Sequence, residues 1–117
     1  MSADQQTEQA IVQAGADVAP RVTPADVEAN IVSEHYGTAA DFGDMAIIKV
    51  GGADRPQSLD LLTFCVLVLR NGFTVTGESA CVSPANFSPE IGRRIARENA
   101  VAKIWPLMGY ELRTKLA

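Results

Sequence analysis

Apolar positions gather in the second half of this chain. Residues 61–69 form a nearly continuous β-prone run interrupted by Thr63, Arg70-Asn71-Gly72 follows, and a second β-prone stretch covers 73–80. Asn-Gly between two such runs predicts a two-residue hairpin turn, because both residues tolerate positive φ. That turn sets a register in which Arg70 opposes Phe73, Val68 opposes Val75, Val66 opposes Gly77 and Phe64 opposes Ser79. On the other face Leu67 opposes Thr76 and Cys65 opposes Glu78. The first strand is apolar on both faces, which predicts that it is central in its sheet or covered twice.

Helical signals flank the hairpin. Thr23 suits an N-cap, Pro24 the first helical position and Asp26 the positive end of the dipole. Val27, Ile31 and His35 then fall on one side with Val32 and Tyr36 adjacent, which predicts an amphipathic helix ending at Gly37. Residues 37–44 read as loop, 45–50 as a short strand ending at Gly51-Gly52, and 51–59 as a further loop. Downstream, Ser88 is placed to cap a long helix with Pro89 and Glu90 in its first turn. This helix is expected to run to about Trp105, where Pro106 kinks or ends it, before a short helical segment at 107–116. Ile91, Ile95 and Ala102, with Trp105 beside them, form the stripe expected to pack on the hairpin. The helix's second half is apolar nearly all round, which predicts either a subunit interface or a C-terminal segment folded back over it. Residues 1–20 lack an apolar period and read as a mobile acidic arm or a frayed helix. The expected fold is α+β: a small antiparallel sheet around the hairpin at 61–80, packed against a long C-terminal helix, with an N-terminal helix, all in one domain at 21–117.

Composition narrows the function. With 117 residues, 47% hydrophobic and 21% charged, the chain suits one folded domain. No apolar run reaches the roughly 18–20 residues of a membrane span. The start, MSADQQTEQA, has neither a basic nor an apolar stretch, so no secretory signal is expected. Two cysteines are too few for a disulfide scaffold or a four-cysteine zinc site, and the predicted register puts Cys65 and Cys81 on opposite faces of the hairpin. The net charge of −4 is uneven, −7 over residues 1–44 and +3 over 45–117. Nine bases dispersed over 73 residues with few aromatics do not make a stripe for a nucleic-acid polymer.

Little here points to catalysis. His35 is the one imidazole and lies far in sequence from both thiols, which read as packing residues. Gly77-Glu78-Ser79-Ala80 lacks the second glycine of a nucleophile elbow, and no phosphate loop or spaced-glycine fingerprint occurs. No enzyme activity and no cofactor are expected. A binding role has more support. Arg93, Arg94 and Arg97 offer cations for a small anion, Asn86 and the amides near Ser88 offer donors, and Phe87 or Tyr36 offers an aromatic face. Glu98 is expected to pair with Arg94 one turn away.

The string LLTFCVLVLRNGFTVTGESAC, then Ser83-Pro84-Ala85-Asn86-Phe87, Glu90-Ile91-Gly92-Arg93, Glu98-Asn99-Ala100 and Ile104-Trp105, resembles a family of short, uncharacterised tailed-phage and prophage proteins. Arg21-Val22-Thr23-Pro24 and Glu34-His35-Tyr36 fit it too, so the resemblance covers about residues 20–117. That family in turn resembles the Thoeris anti-defence proteins, phage-encoded sponges for cyclic ADP-ribose-type signals, some of which also hold cyclic oligonucleotides. The resemblance implies sequestration without turnover in the host cytoplasm by a homo-oligomer, a dimer or a higher assembly such as a hexamer. It makes Asn86 the first candidate for ligand contact and Arg93, Arg97 and Lys103 the next. Some sponges carry arginine late in that helix; Lys103 gives a point charge in place of a planar fork. The alternative expectation is an oligomeric phage protein that binds and modulates a host protein.

Overall fold

The computed structural model describes residues 2–42 and 56–117; the strand expected at 45–50 and the start of the loop after it lie outside the described residues. Helix α1 spans Ala3–Gln13, where Ser2 and Gln5 form a reciprocal capping box. The acidic segment at the N-terminus thus carries regular helix. Helix α2, Pro24–Asn30, starts as expected, with Thr23 and Asp26 exchanging side-chain-to-backbone hydrogen bonds at 3.1 and 2.9 Å.

The helix then stops earlier than its period suggests. Ile31–Thr38 is strand β1, so Ile31, Val32, His35 and Tyr36 belong to a sheet and not to a helix face. Ile31, Val32, Tyr36 and Thr38 are β-formers, and pairing with a long apolar strand outweighs a weak helical period. Strands β2, Leu62–Leu69, and β3, Thr74–Ala80, complete an antiparallel sheet of order β1-β2-β3 with the apolar strand in the centre, as expected.

The hairpin register differs from expectation by one residue. Leu67 opposes Val75, Cys65 opposes Gly77 and Phe64 opposes Glu78. The loop is three residues long, not two. Leu69 N–H donates to Phe73 O and Gly72 N–H to Leu69 O, both at 2.8 Å. Gly72 alone in the loop has positive φ (91°), and the Asn71 carboxamide oxygen accepts from Phe73 N–H at 2.9 Å. Asn71 therefore turns the chain with its side chain and leaves the left-handed position to glycine. The shift gathers Cys65, Leu67, Leu69, Val75 and Gly77 on one face. Its parity puts Cys81 on the Cys65 face too, but Cys81 pairs beside Leu61, well down the ribbon, and both thiols are free.

Helix α3, Pro89–Leu116, is one helix of 28 residues. Ser88 caps it as expected, accepting from Ile91 N–H at 3.4 Å. Pro106 does not end it. The proline ring removes the bond that would reach the Ala102 carbonyl, but Ala102 and Pro106 are both exposed and water can serve that carbonyl. The C-terminal segment accordingly continues outward and does not fold back. The packing stripe also differs. Gly92, Ala96, Ala100, Val101 and Ile104 are buried, whereas Ile91 is 59% and Ile95 40% exposed and Ala102 faces solvent. Gly77 explains the choice: a Cβ there would lie 2.1 Å from Ala96 O and 2.3 Å from Ala100 N. The α3 backbone rests directly on β3, so only small side chains fit between them.

The core comprises Val27, Cys65, Leu67, Leu69, Val75, Ala96, Ala100, Val101 and Ile104, with Val22, Ile31, Trp105 and Met108 packed at its edge.

A candidate anion site at the start of the long helix

Thr63 stands opposite Thr38 on the sheet face that meets α3, and Tyr36 lies on the same face opposite Cys65. The turn before α3 brings in Phe87, Pro89 caps the approach, and Arg93 projects from the first turns of the helix. Together these side chains line a concavity of about 210 Å³, with Asp41 at its rim.

Each group has a distinct chemistry. Thr63 is 3% exposed, and its hydroxyl has no hydrogen-bond partner among the described residues. A buried oxygen in that state carries a desolvation cost of about 1–3 kcal/mol until something bonds it. Arg93 is exposed and makes no ion pair or hydrogen bond among the described residues. Burial pushes the Tyr36 phenol up to about 12, so it keeps its proton, and its hydroxyl lies 3.4 Å from Glu34 Oε1. The Asp41 carboxylate is engaged by Thr38 N–H at 2.7 Å. The concavity thus offers one unpaired planar cation and two aromatic walls, with the unsatisfied Thr63 hydroxyl buried at its base against Gly92.

Three of the six residues expected to bind ligand, Tyr36, Phe87 and Arg93, meet here. Asn86 does not. Its exposed side chain lines a separate hollow of about 140 Å³ with Ser88 and Ile91, and Phe87 is the wall common to both hollows. Arg97 is committed elsewhere. It donates to both oxygens of Glu28 at 3.0 and 2.7 Å and also to Glu34 Oε1. Two carboxylates on one guanidinium leave a net negative cluster, which is a poor seat for an anion. The hydrogen bonds from Arg97 hold the Glu28 carboxyl below its ordinary range, and the carboxylates raise the arginine further. Lys103 lines neither hollow and sits about 15 Å further along the helix than Arg93. Arg94 pairs with Glu98 at 3.3 Å as expected, on the exposed side and away from the core.

Thr63 is the member that sequence reasoning did not select. Its signal was there, a lone hydroxyl interrupting an apolar run, but only the packing of Gly92 against it shows that the oxygen has no partner. His35 faces the opposite side of the sheet from Cys65, beside Ser33.

An antiparallel sheet backed by one long helix, with a cation-topped hollow at the helix start, defines a small α+β protein with no enclosed cleft at that site. No helix among the described residues is long and apolar enough to cross a membrane. The chain belongs to the phage protein (N4 Gp49/phage Sf6 gene 66) family, whose model matches residues 22–116. No curated protein and no solved structure matches it significantly.

Proposed function

We propose that this protein binds a small cyclic nucleotide signal, of the cyclic ADP-ribose type or a cyclic oligonucleotide, and sequesters it without turnover. The observation that carries the reading is the orphan Thr63 hydroxyl beneath the unpaired Arg93. Arg93 suits a phosphate, Thr63 a ribose hydroxyl or phosphate oxygen, and Tyr36 or Phe87 the face of a base. The hollow is smaller than the roughly 300–1,000 Å³ of a complete small-molecule site. A whole signal would extend around Phe87 toward Asn86 or onto a second copy, which is why a homo-oligomer belongs to the reading. Membership of a phage family and the resemblance to anti-defence sponges support the same biology.

The test is to incubate the purified protein with cyclic ADP-ribose isomers and cyclic oligonucleotides, denature it, and assay the released compound. Native mass spectrometry of the same sample gives stoichiometry. At least one panel member should be retained and recovered unchanged, and Arg93→Ala should weaken its binding at least tenfold. Retention of none ends the reading, and chemical conversion replaces it with an enzyme.

A second reading, binding of a host protein, is favoured by Ile91, Ile95, Leu107 and Tyr110, all exposed along α3. It requires a stoichiometric host partner whose capture survives Arg93→Ala.

A further inference from the structure

A single 3₁₀ turn, Ala39–Asp41, follows β1 and puts a carboxylate at the rim of the Thr63 hollow. Two contacts fix that turn. Asp41 Oδ2 accepts Thr38 N–H at 2.7 Å, and the Phe42 ring packs on Phe64 with centroids 5.6 Å apart. The other Asp41 oxygen has no partner among the described residues. Arg93 lines the same hollow and is also unpaired, yet no ion pair joins the two. Opposite charges thus stand apart on one hollow, each open to a third group.

The space beside the carboxylate belongs to a glycine. Gly37 lines the hollow, has no positive φ, and sits within β1, where glycine costs about 0.5–1 kcal/mol relative to alanine. A Cβ there would lie 3.4 Å from Asp41 Oδ2, an ordinary contact that packing tolerates. Neither backbone conformation nor packing therefore requires glycine at this position. What its missing side chain provides is clearance over the Asp41 carboxylate.

A bare anion gains at Arg93 and is repelled at Asp41. A group that carries both an anion and hydroxyl donors gains at both ends. The ribose 5′-phosphate unit of a nucleotide is such a group: its phosphate accepts from a guanidinium, and its 2′- and 3′-hydroxyls donate to a carboxylate. The hollow of about 210 Å³ is too small for a whole nucleotide and suits one sugar-phosphate unit, which leaves the base to Tyr36 or Phe87. We propose that Asp41 is the specificity residue of this hollow and selects a ribonucleotide by accepting its ribose hydroxyls while Arg93 holds the phosphate. The inference rests on the nucleotide reading above and adds the sugar to it.

The test titrates the full chain with adenosine 5′-monophosphate, its 2′,3′-dideoxy analogue and inorganic phosphate, followed by NMR at the Gly37 and Gly92 amides. The ribonucleotide should bind about tenfold more tightly than the dideoxy analogue, as expected for hydrogen bonds to a charged acceptor. Asp41→Asn keeps the shape, and its carbonyl oxygen can still accept Thr38 N–H, but an amino group replaces the free acceptor. In that variant the preference for the ribonucleotide should collapse, while inorganic phosphate binds more tightly than to the wild type because a nearby negative charge is gone. A merely structural Asp41 would weaken all three ligands alike, which overturns the proposal. Circular dichroism monitors folding of the variant, and the wild-type comparison stands without it. Equal affinity of the wild type for the two nucleotides, or a preference that survives Asp41→Asn, overturns the proposal and leaves the nucleotide reading standing. Failure of adenosine 5′-monophosphate to bind also overturns it, while the retention assay with cyclic compounds still decides that reading separately.

Discussion

The Thr63 side chain carries a buried oxygen that no other described group bonds. The proposed binding role rests on that fact. Thr63→Val keeps the shape and deletes the orphan oxygen, so the free protein should gain up to about 1 kcal/mol of stability. The same variant should lose affinity for any ligand that bonds the hydroxyl. Denaturant unfolding with and without ligand checks both. A loss of stability in the free protein would mean that the hydroxyl is satisfied there, and the site would lose its main argument. Arg93 and Arg97 show the same lesson for charge. One is unpaired over a hollow and the other is held by Glu28 and Glu34, although in sequence they are equivalent members of one basic cluster. Nothing in the local string distinguishes them, because the partners of Arg97 lie more than sixty residues away on α2 and β1.

Elements here are set by close contact as much as by propensity. The α3 backbone lies on β3 because Gly77 has no side chain and because Gly92, Ala96 and Ala100 recur at intervals of four. Gly77→Ala would force a Cβ to within 2.1 Å of Ala96 O, and backbone on both sides cannot simply rotate away. The expected cost lies at the top of the roughly 1–3 kcal/mol range for overpacking. Urea unfolding measures it; a cost below about 0.5 kcal/mol would show that the helix is free to lift off the strand. The caps of α2 and α3 and the turn residues were legible in the string, whereas the Ser2–Gln5 box of α1 was not. Thr23, Ser88 and the Asn-Gly turn all act where their chemistry predicts. The register was not, because a two-residue and a three-residue loop use the same Asn-Gly pair and differ only in which residue takes positive φ.

At the scale of the whole molecule the shape is elongated. The radius of gyration is 18.0 Å, against about 13 Å for a compact domain of this length. Three carboxylates are held below their ordinary range, two by arginines elsewhere in the chain and one by the cap of its own helix. Arg21 does this for Glu8, the Thr23 backbone N–H for Asp26, and Arg97 for Glu28. A carboxylate with a depressed folded pKa contributes stability above its unfolded value that is lost as pH falls through the folded one. The thermal midpoint should therefore drop as pH falls from about 5 to about 3. Arg97→Gln should lower the midpoint at neutral pH and flatten the acid slope, because Glu28 then titrates alike in both states. An unchanged slope would assign the acid sensitivity to other groups.

The sequence by itself determined the α+β class, the central apolar strand, the starts of α2 and α3 and the phage protein family. These follow from local chemistry: alternation, capping side chains, proline positions and a long distinctive string. Tertiary structure alone decided that 31–38 pairs as a strand, that α3 runs through Pro106, which small residues face the sheet, and which arginine is unpaired. Each of those outcomes is a competition between a local preference and a contact made far along the chain, and only the folded arrangement supplies the second term.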